Sequence, residues 1–406
     1  MIGVMLINWE AVVLGGKHWI VREHGGYRVL AIDITAFWRP ALKGCRTKHY
    51  NQQAGKALPV MVFGIIGRVG QIGKQQLLLP LGFLRADPDK PNEGGLVSGL
   101  IVKAKAIMQP KDALVSDGGF PLKTILAHGI PRFVAKLPRN CTARRFSPPK
   151  YSGKGRPPSG GRSFAPLARS YKGKTLPATS PDRSETWEEE GRTIRADIWD
   201  NLVLTSTKAD EFAQATTFSI MVFHDPNFTR PLVIAVNLMD IAARHARLLY
   251  LDRWPVEQLP LAAKQMIGAH RAFVHADESC HRLPELALLA GSTLSFVAAA
   301  LPAVPTGFWD RKPQPTPGRL LRFLSRWGFP TNFGLPPPKF VGNPRSQTTC
   351  PRAFWGIGAL NRRSTLKSGT NCRFAILFCS RKRTECFLHV SCWSMLTAHR
   401  LSFSGN

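Results

Sequence analysis

Residues 28–35, RVLAIDIT, constrain the fold more than any other stretch. The run is short, apolar and β-branched, the composition of a central strand, yet Asp33 interrupts it. A carboxylate inside such a run is costly to bury unless it is paired or ligates a metal. The plain alternative is a strand-end aspartate that caps the following turn. Residues 113–120, ALVSDGGF, read as a second short strand ending at Asp117. Gly118 and Gly119 let the backbone turn sharply there and leave the carboxylate at the strand's carboxyl edge, where ligands usually sit in α/β sheets. Asp112 precedes that strand and is expected to be solvated.

The segments around these acids alternate between strand and helix patterns, which predicts an α/β fold. Residues 18–22 read as strand and Gly25-Gly26 as a turn, and residues 56–84 read as two further strands. Residues 92–108 have helical spacing at Leu96, Leu100, Ile101, Ala104 and Ile107. A short helix is expected over 121–128 and a strand over 131–137. Residues 186–204 read as a strand pair, and 216–222 and 232–236 as apolar strands that return to the core. Glu188, Glu189 and Glu190 are expected to form a solvated edge or to partner nearby arginines. Trp187 and Trp199 could stack on an unpaired base, although packing within a small sheet is the stronger reading.

A formal charge of +29 favours a polyanionic partner, nucleic acid first. Residues 139–183 hold eleven Lys or Arg against one acid, Asp182, and are thick with Pro, Gly and Ser. Such a segment tracks phosphates by charge. No C-x2-C pair exists among the eight cysteines, which argues against a zinc ribbon, and an intracellular, reduced setting fits best. HADESCH, residues 275–281, has two histidines and a cysteine, but short-range side chains in one loop rarely converge on a metal. Residues 286–304 carry no charge and are read as a buried core helix rather than a membrane span.

Residues 250–264, YLDRWPVEQLPLAAK, then place Tyr250, Arg253, Glu257 and Lys264 at offsets of three, seven and fourteen. At roughly 100° per helical residue all four fall within about 60°, on one face of a single helix. An amphipathic surface helix with ordinary ion pairs would show some of this. A carboxylate between an arginine, a lysine and a phenol also suits a metal-bound phosphodiester. Pro255 fits a helix start, whereas Pro260 should kink the helix. Helical character is expected to continue over 265–273.

The spacing Y-x2-R-x3-E-x6-K resembles the signature of bacterial insertion-sequence transposases of the DDE class, in which this glutamate is the third catalytic acid. The resemblance covers roughly residues 28–324. It implies a ribonuclease H-like α/β core, a mixed sheet flanked by helices and interrupted by a mainly β insertion. The domains expected are an amino-terminal remnant (1–27), the first part of the core (28–138), and the basic loop and β insertion (139–214). The second part of the core with the signature helix (215–305) and a Pro-rich linker with a basic, Cys-containing tail (306–406) follow. The 139 residues between Asp117 and Glu257 leave room for the insertion.

The resemblance further implies catalysis by Asp33, Asp117 and Glu257, which would hold two Mg²⁺ ions, with Mn²⁺ able to substitute. Tyr250, Arg253 and Lys264 would bind DNA phosphates. The implied partners are double-stranded DNA, as terminal repeats and target, and a second copy of the chain on that DNA. No membrane is involved, and the setting is the bacterial cytoplasm. A non-catalytic basic nucleic-acid-binding protein and another ribonuclease H-like nuclease are the alternatives. Only 32 residues precede Asp33, and nothing there reads as a complete helix-turn-helix. From Arg326 onward there are twelve Lys or Arg against one acid, Glu385, with no sustained periodicity. The chain is therefore expected to be truncated or frameshifted at its ends, with a disordered or non-native tail.

Overall fold

A computed structural model describes residues 19–327, apart from 39–46, 52–53, 88–93, 148–152, 154–160, 172, 208–213, 270–276, 304, 306–309 and 311. Most of the basic segment's centre and the cysteine-rich tail lie outside the described residues. The chain divides into two compact units, Met1–Phe323 and Leu324–Asn406. Of the second, only residues 324–327 are described, as the end of a helix.

One large mixed sheet organises the first unit. It starts with β1 (Trp19–Val21), β2 (Glu23–His24), the long β3 (Tyr27–Trp38) and β4 (Lys48–Asn51). The expected strands over 56–84 are β5 (Lys56–Ile72) and β6 (Gln75–Arg85). After helix α1 (Gly94–Ile107) come β7 (Asp112–Ser116), α2 (Leu122–Ala127) and β8 (Phe133–Lys136). β6, β5 and β3 pair antiparallel, and β7 and then β8 add in parallel beside β3. Parallel strands need crossovers, and α1 and α2 are adjacent to them in the chain for that purpose.

Among the described residues of 139–214, expected to be an insertion, the one separate sheet is the two-stranded β11 (Arg169–Tyr171) and β12 (Lys174–Leu176). From the same stretch, β9 (Ala143–Arg145), β10 (Ser163–Phe164), β13 (Arg183–Glu189) and β14 (Arg192–Leu204) extend the main sheet. They join through β15 (Phe218–His224) and β16 (Leu232–Asn237), and β16 closes onto β8. Trp199 therefore sits in a central strand with both faces covered. It is 2% exposed, packs against Phe164, and donates its ring N–H to the carbonyls of Thr179 and Ser180. Base stacking by Trp199 is ruled out by that burial. Trp187 packs edge-on against Phe223, half-buried.

Period-two alternation divides the core in two. Leu30, Ile32, Val62, Ile66 and Leu114 face one side, with Leu96, Leu100 and Ile101 of α1 and Ile125 of α2. Val29, Ala31, Phe37, Phe63, Ile65, Val115 and Val134 face the other. There they meet α3 (Ala243–Leu251), α4 (Pro255–Leu261) and α5 (Asp277–Ala300) through Ala246, Leu249, Val256, Leu259 and Leu288. α5 contains Arg282–Ala300, which is long and apolar enough to cross a membrane, but 61% of that window is buried in the fold. It packs as the core helix expected for 286–304. HADESCH straddles the start of α5, and residues 275–276 lie outside the described residues.

α1 approaches the sheet at Gly64 of β5, where a Cβ would lie 2.2 Å from a Leu100 methyl. Gly64→Ala should therefore overpack this layer and destabilise the chain by about 1–3 kcal/mol, read as a lower urea midpoint at unchanged slope.

Candidate active site

Asp33 belongs to the odd-numbered row of β3, with Val29, Ala31, Thr35 and Phe37. Its side chain is thus on the sheet face that α3 and α4 cover. In the parallel pair, Ala31 is opposite Val115. Two residues further along stand Asp33, midway along β3, and Asp117, just past the end of β7, so the parallel pairing brings the two acids side by side. Strand spacing there is about 4.8 Å. Beyond β7 the chain turns, with Asp117 Oδ1 accepting the Gly119 N–H at 2.9 Å. A Cβ on Gly119 would sit 3.1 Å from that oxygen, so glycine is what lets the turn close around the carboxylate.

Asp33 records the electrostatics of the site. Burial pushes its pKa from 3.8 up to about 7. The Ile34 N–H, donating to Oδ1 at 2.8 Å, opposes this, while the charges of Asp117 and Glu257 add to the rise and Arg253 counters it. The charges of Asp117 and Glu257, far from Asp33 in sequence, both reach it in the fold.

The signature stretch is not one helix. α3 ends at Leu251, a turn covers 252–254, α4 follows, and residues Ala262–Met266 form a π-helical turn. Pro255 has no N–H and cannot continue the α ladder. Around it the backbone tightens, with Arg253 N–H to Tyr250 C=O, Trp254 to Leu251, Val256 to Arg253 and Glu257 to Trp254. Pro260 removes another donor within α4, and the widened turn follows. The helical run expected over 265–273 is interrupted at Gly268, whose φ is +75°, and residues 270–273 lie outside the described residues. Because 252 and 254 keep right-handed helical dihedrals, the shared face survives the break.

On that face Arg253 is nearly buried, 6% exposed, and donates through Nη2 to Glu257. Its guanidinium lies over the Tyr250 ring at 5.6 Å. Burial works against its charge, but the Glu257 hydrogen bond and the Glu257 and Asp33 charges hold its pKa above the ordinary value. Its Nε and Nη1 are buried donors without an acceptor among the described residues. Lys264 donates to Thr35 Oγ1 at 2.8 Å and stands over the Phe37 and Trp38 rings at 5.1 and 5.8 Å. Burial lowers its pKa to about 8 against the pull of Asp33.

The donor set suits a hard divalent cation, since it consists of carboxylates alone. A cation would also relieve the like-charge pressure on Asp33. Glu257, however, is turned to Arg253, and among the described residues no three His, Cys, Asp or Glu side chains converge to hold an ion. The residues fit such a cation by their chemistry, with Glu257 engaged by Arg253 in this structure.

Sequence reasoning missed Thr35 and the Phe37–Trp38 shelf that seat Lys264. The alternation of β3 was the available signal for Thr35 and Phe37, because both share the face of Asp33. It also missed how α3 is held. Glu185 accepts the Ala243 N–H at 3.0 Å. Arg247 bridges Glu189 at 2.7 Å and Asp225 at 2.6 Å, so Glu185 and Glu189 hold α3, while Glu190 pairs with Arg192 and Glu188 accepts from the Thr193 hydroxyl. Asp112 is not solvated: it is fully buried and bonded by Arg68 at 2.9 Å. Its partner comes from β5, far away in sequence. No family model and no curated protein sequence matches this chain.

Proposed function

We propose that the chain is a DDE-type transposase that cleaves and joins DNA strands at the ends of an insertion sequence. The observation that carries this reading is Asp33, held in the combined field of Asp117 and Glu257 with Arg253 and Lys264 alongside. Support for a ribonuclease H-like core comes from the mixed sheet. One acid lies midway along β3 and a second just past the end of the neighbouring parallel β7, and the third comes from a helix laid across the same face.

Asp33, Asp117 and Glu257 would hold two Mg²⁺ ions, with Mn²⁺ able to substitute, which would activate the attacking oxygen and stabilise the departing one in an in-line displacement. The chain's own part is to position. Arg253 offers a planar fork to two non-bridging oxygens. Lys264 supplies a point charge, fixed by Thr35 and the aromatic shelf, and Tyr250 offers a hydroxyl. The basic residues of 139–183 draw the duplex in by charge, and a second copy on the same DNA would bring two ends together. The setting would be the cytoplasm.

A second reading has one observation in its favour: the Arg253–Glu257 pair is what a purely structural acid would make. Divalent-cation dependence separates the two. A labelled duplex built from the DNA flanking the gene should be cut by the full chain with Mg²⁺ and not with chelator. Asp33→Asn, Asp117→Asn and Glu257→Gln should each abolish cutting while salt-sensitive DNA binding persists. Cutting that survives all three substitutions would overturn the assignment, and salt-sensitive binding indifferent to divalent cation, with no cutting, would favour the binding module.

A further inference from the structure

Glu257 and a DNA phosphate compete for the same guanidinium. We infer that Arg253 is a latch: a phosphodiester arriving on it frees Glu257 to join Asp33 and Asp117, so DNA and a divalent cation bind cooperatively. The inference rests on the transposase reading of the site.

Three features argue for it. Arg253 gives Nη2 to Glu257 while Nε and Nη1 remain buried without an acceptor. Buried donors of that kind favour a ligand that can satisfy several at once, and a phosphate's oxygens match the fork. The Tyr250 ring against the guanidinium keeps Arg253 in place when its partner changes. Glu257 is free to swing, since its side chain is 34% exposed where that of Arg253 is 7%.

Electrostatics supplies the coupling. Glu257 carries the same charge as Asp33 and Asp117, the other two acids of the site. Moving Glu257 away from Arg253 and closer to those acids strengthens the repulsion unless positive charge enters with it. Release of the latch and cation binding therefore favour each other. By linkage the effect is reciprocal: whatever factor DNA adds to cation affinity, the cation adds to DNA affinity.

The test measures that factor from both sides with the full chain. Mn²⁺ binding is followed by the electron paramagnetic resonance signal of free Mn²⁺, with and without a short random-sequence duplex. Affinity for that duplex is followed by fluorescence anisotropy, with and without Mn²⁺ at matched ionic strength. A coupling factor on the order of ten, equal in both directions, is expected for the native chain. Arg253→Gln should bind Mn²⁺ without DNA about as tightly as the native chain does with it, with little coupling left. Glu257→Gln keeps an acceptor for Arg253 but loses the charge. It should reduce the coupling to what the duplex's own Mn²⁺ binding produces, and it carries the comparison if Arg253→Gln does not fold. Equal coupling in the native chain and Glu257→Gln would overturn the latch. The transposase reading would survive that result if Asp33→Asn still removed protein-bound Mn²⁺. Absence of protein-bound Mn²⁺ in the native chain under both conditions would overturn both.

Discussion

Asp33→Asn should abolish metal-dependent strand cleavage and, without divalent cation, make the chain more stable above pH 7. The two effects have one cause. In the unfolded chain this carboxyl titrates near its ordinary value of 3.8, whereas burial and the charges of Asp117 and Glu257 lift it to about 7 in the fold. Between those values the folded chain keeps a proton that the unfolded chain has released. Native stability therefore falls as pH rises from about 4 to about 7, and the full penalty remains above that. Three pKa units correspond to about 4 kcal/mol at most. Asparagine retains an oxygen for the Ile34 N–H and never ionises, so it escapes the penalty but cannot hold a cation as a carboxylate does.

Urea unfolding in chelator at pH 4 and pH 8 checks the prediction. Native chain and variant should match closely at pH 4, and the variant should lead at pH 8. Added Mg²⁺ should then stabilise the native chain and leave the variant unmoved, because only a site that binds cation gains by mass action. A variant less stable than the native chain at pH 8 would mean that burial does not disfavour the ionised Asp33 carboxylate.

The features of this site that were legible in the sequence are those that depend on local pattern. Two properties of RVLAIDIT could be read directly: its β-branched run made a strand, and the break at Asp33 marked a side chain with unusual company. Asp117 was legible through its two glycines, one of which does close against the carboxylate. The shared face of Tyr250, Arg253, Glu257 and Lys264 was legible too, but the unbroken helix was not real. Periodicity reports the direction of side chains and is blind to whether every backbone bond is made. Two prolines therefore broke the ladder without scattering the face. What escaped the sequence was non-local. Trp199 lies deep because β14 pairs with β15 and β9, and neither pairing leaves a trace in the chain around the tryptophan. The hold of Glu185 and Glu189 on α3 spans 58 residues, so a run of acids gave no sign of its partners.

Asp112 is the sharpest case, and it leads to the largest expected loss of stability. It opens β7, beside Arg28 in the parallel register with β3. Its side chain is fully buried with Arg68 Nη2 at 2.9 Å, the Gln109 N–H at 3.0 Å and Arg28 Nε at 3.4 Å. Its carbonyl accepts from Arg132 at 2.9 Å. Removing the carboxylate takes away a buried acceptor shared by Arg68, Arg28 and the Gln109 N–H, so Asp112→Ala should cost about 3–5 kcal/mol. Because Arg68 and Asp112 are opposite charges buried together, replacing both by apolar side chains should recover most of the penalty. Asp112→Leu combined with Arg68→Met is expected to lie within about 2 kcal/mol of the native chain. Denaturant midpoints for the single and double variants decide the matter. A loss below about 1 kcal/mol for Asp112→Ala would return this aspartate to the surface. The same variants bear on the site, since Asp112 and Asp117 lie at opposite ends of β7. If that strand is rigid, the double variant should keep full metal-dependent cleavage while the single variant loses it only as it unfolds.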